Sequence, residues 1–236
     1  MEDTKSLYDK VRSEIKYNII NGIYPMGKRL KAKKLADELY VSRTPVNKAL
    51  SSLYEEGLLS YNKNVGYSVR IITIEDIEEI FKIRTALDAL SFKEASLKMD
   101  EDDFDYVKNF IDKAELAFND NDVDKLRQAS KEFNESIYDF SDMPRLKMII
   151  SELDDYLEVL RKLSFNTNNI ENKNKRMKQA VEEHRKILNL MENKDYEKLG
   201  DFIRKHLKGS KENILGESYR YRDYILDEKE EKPDEL

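Results

Sequence analysis

Cysteine is absent from this 236-residue chain, which excludes disulfide frameworks and thiolate metal sites and leaves nothing to argue for an oxidising compartment. Histidine is nearly absent as well, since His184 and His206 are the whole supply. No stretch approaches the roughly 18 apolar residues of a membrane span. The charged opening MEDTKSLYDK has no apolar core of signal-peptide length. A cytoplasmic protein without a membrane partner is the expectation. Glycine is scarce, and none falls between Gly66 and Gly200, so that long stretch lacks the strongest breaker of helices.

What is present is charge. Hydrophobic residues make up 39% of the chain and charged residues 38%, a balance suited to slender helical layers with charged outer faces. The length fits two modest domains, and the charge divides accordingly. The net charge is -6, yet residues 1–70 carry 13 Lys and Arg against 8 Asp and Glu, whereas the remainder carries 29 against 40. A basic head on an acidic body is the pattern of a nucleic-acid-binding module fused to a domain with another task.

In the head, Leu7, Val11, Ile15 and Ile19 recur at four-residue spacing and predict a helix from Ser6 to Asn21. Gly22 stops it, and Gly22 to Gly27 reads as a turn. A short helix is expected from Lys31 to Leu39. A second begins at Ser42 or Thr44, since either hydroxyl can cap it and Pro45 suits a first turn. Its inward face is Val46, Ala49, Leu50 and Leu53. Beyond Gly57, Leu58 to Tyr61 and Tyr67 to Ile72 predict two short strands about a turn ending at Gly66. Two helices and a hairpin in this order make a winged helix-turn-helix, whose second helix enters the major groove.

The outward residues of that second helix fit the task. Arg43 and Asn47 are four apart, as are Thr44 and Lys48, so all four lie opposite the apolar stripe. Arginine pairs with guanine and asparagine with adenine, while Ser42, Thr44 and Lys48 suit phosphates. Lys28, Arg29, Lys31, Lys33 and Lys34 add phosphate-neutralising charge just upstream. The alternative is a solvated basic face on an ordinary helical subdomain.

These residues resemble the GntR family of transcription regulators. The matching stretch runs from Ile19-Ile20-Asn21-Gly22 through Pro25-Met26-Gly27, Leu30 and Leu35-Ala36 to Val41-Ser42-Arg43-Thr44-Pro45-Val46, then Ala49-Leu50, Leu53, Glu56-Gly57-Leu58 and Gly66. The resemblance implies that Lys33, Arg43, Thr44 and Gly66 contact operator DNA. The family's usual Arg-Glu-Ala-Leu is here Asn47-Lys48-Ala49-Leu50. Asn47 stands where a base-reading arginine is usual, so an operator sequence does not transfer from other members.

From Thr73 onward helical periodicity predicts about six helices. Capping boxes are expected at Thr73 with Asp76 and at Asp100 with Asp103, and further helices over Asp122–Phe140, Pro144–Leu163, Ile170–Asn193 and Asp195–Asn213. Arg84 leaves an apolar face that holds Ile80 and Phe81 and so needs an anion. Asp88, one turn later, is the internal candidate, and an effector carboxylate or phosphate is the external one. Ser130, Asn134, His184 and His206 fall among apolar residues at helical spacing and should face the bundle interior. Arg84 with Asp88, Glu132-Phe133-Asn134, Glu183-His184 with Ile187-Leu188, and His206-Leu207 resemble the FadR-type effector domain of the same family. In many such domains an Asp and three His hold a divalent metal. The corresponding residues are Ser130, Asn134, His184 and His206, so only His184 and His206 remain as metal ligands, and no cofactor is expected.

The resulting expectation is a mainly α chain. Residues 1–72 form a winged helix-turn-helix with a small β-wing, residues 73–218 an all-helical bundle for effector binding and dimerisation, and residues 219–236 a charged tail. The expected DNA-binding residues are Lys31, Lys33, Ser42, Arg43, Thr44, Asn47, Lys48 and Gly66. The expected effector contacts are Arg84, Ser130, Asn134, His184 and His206. The implied partners are double-stranded operator DNA, an organic or sugar acid, and a second copy in a homodimer. The competing reading is a helical enzyme in which His184 and His206 act on a small anionic substrate, although no nucleophile motif or phosphate loop supports it.

Overall fold

A computed structural model of the chain describes residues 6–165 and 170–226. It divides into two compact units, one of Met1–Thr73 with Asp155–Val159 and one of Ile74–Asp154 with Leu160–Leu236.

The first unit begins with α1 (Leu7–Ile20), where Ser6 and Asp9 form a reciprocal capping box. Val11, Ile15 and Ile19 are buried and α1 packs on α3 (Arg43–Glu55), while Leu7 remains half-exposed. The shorter α2 (Ala32–Glu38) also packs on α3 and buries Leu35 and Ala36. Val46, Ala49, Leu50 and Leu53 of α3 are fully enclosed, as their spacing requires. Ser42 has the extended backbone of an N-cap, but its hydroxyl accepts no bond from the helix. The capping role expected of it is confined to the backbone.

The wing is a three-stranded antiparallel sheet in the order β1-β3-β2, from β1 (Arg29–Leu30), β2 (Leu59–Asn62) and β3 (Gly66–Val69). The hairpin is the one expected, but β1 is not. It is two residues long and exists through its partner, with Arg29 opposite Ser68 and Leu30 opposite Tyr67, so it has no periodicity to read. Across the hairpin, Tyr61 faces Tyr67 with ring centroids 4.9 Å apart, and Tyr54 of α3 lies 6.2 Å from each. The aromatic cluster fixes the wing to the end of α3.

The second unit contains α4 (Ile74–Lys98), α5 (Glu101–Asn119), α6 (Val123–Phe140), α7 (Pro144–Phe165) apart from the residues Asp155–Val159 that belong to the first, α8 (Ile170–Glu192) and α9 (Tyr196–Leu226). Asp100 and Asp103 form the expected capping box, and Asp122 caps α6 by accepting from Lys125 N–H. α5 packs on α6 and α8, and α4 on α6, α8 and α9. Phe92, Ile111, Leu126, Phe133, Ile137 and Met177 are among its fully buried large side chains. α9 runs to Leu226, well past 219, where the tail was expected to begin. The helix expected to end at Asn213 thus continues to Leu226, and 227–236 lie outside the described residues.

Candidate functional site

Two groups of candidate functional side chains emerge, one in each unit. In the head, Lys31, Lys33, Ser42, Arg43, Thr44, Asn47 and Lys48 are all exposed. The last four share the face of α3 turned away from Val46, Ala49, Leu50 and Leu53. Gly66 opens β3 at a φ of 91°, and nothing lies within 4 Å of where a Cβ would stand. Glycine there serves the backbone conformation and leaves the wing tip open to a close neighbour. The start of α3 carries free backbone N–H groups, the unengaged Ser42 hydroxyl and the Arg43 charge, a combination suited to phosphate.

In the helical unit, Arg84 lies on α4 and is 7% exposed, with Asp88 1% exposed. Its Nε donates to Asp88 Oδ2 at 3.0 Å, and the Tyr138 hydroxyl donates to Asp88 Oδ1 at 2.6 Å. Burial alone would lower the Arg84 pKa, but the Asp88 charge and Tyr138 more than offset it, so the guanidinium holds its proton more tightly than usual. Of the two anions weighed for Arg84, the molecule itself supplies Asp88. Tyr138, missed in the sequence, completes the pair.

The other polar residues gather among α6, α8 and α9. His184 is buried and stacks on Phe133 with centroids 4.5 Å apart, and His206 is buried 5.5 Å from it. His206 Nδ1 lies 2.6 Å from Glu183 Oε2, and Gln179 donates to the other Glu183 oxygen at 2.8 Å. Burial would raise the Glu183 pKa, but His206, Gln179 and Arg176 outweigh it and hold the carboxyl below its ordinary range. Asn134 is buried and its amide donates to the Ser130 carbonyl at 2.9 Å. The Ser130 hydroxyl is buried with no hydrogen-bond partner among the described residues.

Arg176 also belongs to this cluster. It is 9% exposed, donates to Ser210 Oγ at 3.0 Å and stands 3.9 Å from Glu183. Burial lowers its pKa, and Glu183 offsets this only in part. Its signal was legible: Arg176, Ala180, His184 and Leu188 recur every four residues, which places Arg176 on the face of α8 that carries the histidine.

The residues do not fit the metal implied by the resemblance. Zinc sites usually draw on three or four imidazole, thiolate or carboxylate donors, and among the described residues no group of three His, Cys, Asp or Glu is placed to hold an ion. Ser130 and Asn134 offer neutral oxygens, and His206 Nδ1 is engaged by Glu183. Among the described residues, no helix is long and apolar enough to cross a membrane.

Comparison with known proteins agrees with this division. Residues 7–69 match the model for bacterial regulatory proteins of the gntR family, and residues 79–209 match the FCD domain. The uncharacterized HTH-type transcriptional regulator YdhC of Bacillus subtilis is 26% identical over 208 residues, covering 88% of this chain and 90% of that protein. The HTH-type transcriptional regulator McbR of Escherichia coli is 28% identical over 148 residues, 63% of this chain and 67% of that one. The solved structure of Escherichia coli McbR/YncC has the same fold, with a TM-score of 0.71 and 23% identity over 92% of this chain and all of the other (100%).

Proposed function

Because the chain belongs to the gntR family of bacterial regulatory proteins and carries an FCD domain behind its DNA-binding head, we propose that it acts as a homodimer whose hold on operator DNA is set by a small anionic metabolite inside the helical unit. The chain is a DNA-binding transcription regulator with an effector-binding domain, and the enzymatic alternative falls with that assignment. In this reading Arg43 and Asn47 meet base edges, while Lys31, Lys33, Ser42, Thr44, Lys48 and the Gly66 backbone fix α3 and the wing on the phosphates.

The observation that carries the effector reading is the buried Ser130 hydroxyl with no partner among the described residues, beside a bundle interior that also encloses His184, His206 and Arg176. An unsatisfied buried hydroxyl costs about 1–3 kcal/mol, which a ligand hydrogen bond offsets. An organic or sugar acid suits the set: its carboxylate pairs with Arg176 or an imidazole N–H, and its hydroxyls meet Ser130 and Asn134. Arg84, tied to Asp88 and through it to Tyr138, acts at this site by holding α6, which carries Ser130 and Asn134, against α4.

The test is to denature the purified full-length protein and identify the small molecules released by mass spectrometry. The compound found is then titrated against the protein bound to a fluorescent promoter duplex. The expected result is a shift in DNA affinity that persists after extensive chelation, since the ligand must bind the DNA-competent and DNA-incompetent states unequally. A response lost on chelation and restored by one ion, or DNA affinity indifferent to every organic and sugar acid tried, would overturn the proposal.

A further inference from the structure

The turn between α2 and α3 places a tyrosine where the backbone favours glycine. Val41 N–H donates to the Ala36 carbonyl at 3.0 Å and Tyr40 N–H to the Asp37 carbonyl at 3.4 Å, the two bonds of a Schellman ending, with Tyr40 at its left-handed position. Its φ of 55° is unfavourable for a bulky L residue. Three other helices end with the same longer bond. Leu58 donates to Leu53, Asp122 to Ala117 and Asp195 to Leu190, and the left-handed residues there are Gly57, Asn121 and Lys194. Tyr40 is the aromatic exception among them.

Nothing among the described residues uses the ring. Tyr40 is 96% exposed, and its side chain makes no hydrogen bond or ring contact among the described residues. A single exposed apolar residue is ordinary on a protein surface. A fully exposed aromatic in a strained backbone conformation has a cost without an internal benefit, which points to a role outside the molecule. Its position supplies the partner: Tyr40 lies two residues before the N-cap Ser42, on the turn that leads into the exposed Arg43 and Thr44.

We propose that Tyr40 contacts the DNA backbone, donating its phenolic hydroxyl to a phosphate oxygen beside the major groove and laying its ring against the adjacent deoxyribose. This rests on the reading of α3 as the recognition helix. Tyrosine is among the side chains that reach phosphate oxygens, and such contacts set register rather than sequence preference. Tyr40 thereby fixes how deeply the start of α3 sits in the groove, and with it the reach of Arg43 and Asn47.

The test uses the full-length protein and two fluorescent duplexes, one selected by the parent protein from a random library and one scrambled. Tyr40→Phe should weaken binding to both by a similar factor, about 10-fold for a lost bond to a charged group, and Tyr40→Gly, which removes the ring as well, by at least as much. Two further readouts separate contact from scaffold. Tyr40→Gly should melt no lower than the parent, because glycine adopts this conformation freely, and the salt dependence should keep its slope, because a neutral hydroxyl releases no counterion. A Tyr40→Gly variant that binds like the parent while Arg43→Ala loses its preference for the selected duplex overturns the Tyr40 contact alone. If Arg43→Ala also keeps that preference, the recognition-helix reading falls and takes this one with it. Loss confined to the selected duplex, or loss accompanied by a lower melting temperature, overturns the phosphate contact.

Discussion

Arg43 stands exposed in the first turn of α3, whereas Lys33 is exposed on α2, and the two should fail differently when removed. Arg43→Ala should weaken binding to the selected duplex by about 1–3 kcal/mol, while Lys33→Ala weakens binding to every duplex and lowers the salt slope by about one. Anisotropy titrations across a salt series separate them, and identical behaviour would break the division into base reading and phosphate neutralisation. In the helical unit the decisive residue is Arg84. Arg84→Ala leaves Asp88, 1% exposed, with a buried charge and, among the described residues, the Tyr138 hydroxyl as its remaining side-chain partner. Breaking such a pair costs about 3–5 kcal/mol, so urea denaturation should show a large loss of stability. A loss below about 1 kcal/mol would mean that the pair does not hold α4 to α6.

At the scale of elements, the contact between α1 and the end of α3 carries a pH dependence. Arg12 lies 2.6 Å from Glu56 and Lys16 3.5 Å from it, and Ser52 donates to the same carboxylate at 2.8 Å. Burial pushes the Glu56 pKa up, but the bonds from Arg12 and Ser52 and the charges of Arg12 and Lys16 outweigh it, so the carboxyl titrates below its ordinary 4.5. A carboxyl whose folded pKa is depressed contributes stability in full above its unfolded value and loses it as pH falls through the folded value. Glu56→Gln should therefore lower the melting temperature at neutral pH, by an amount equivalent to about 1 kcal/mol. The difference should close as pH drops below 4.5, and a difference unchanged down to pH ~2 would rule out ionisation as its source. The partners that lower this pKa were not evident beforehand, because Arg12 and Glu56 are 44 residues apart and meet only when α1 lies against α3.

For the whole molecule, a recognition helix of one head reads only half of a palindromic site, so two copies related by a twofold axis are expected. Light scattering at micromolar concentration should give twice the mass of the 27.9 kDa chain. A monomer whose single head binds a half-site with full affinity would remove this expectation.

The sequence by itself determined the helices, the hairpin and the inward and outward faces of α3, because capping residues, helical spacing and turn residues act within a few positions of one another. Asp100 with Asp103 became a capping box, and the stripe from Val46 to Leu53 became core. It also placed Asn134, His184 and His206 in the interior, where they are buried. Only tertiary structure decided whom those groups meet. Tyr138 reaches Asp88 across 50 positions, Arg176 reaches Ser210 across 34 and His206 reaches Glu183 across 23. The strand β1 likewise exists only where β3 passes beside it. Periodicity gives the direction of a side chain about its own helix axis. The partner opposite depends on how helices distant in sequence pack, and it is that packing which brings Tyr138 of α6 to Asp88 of α4.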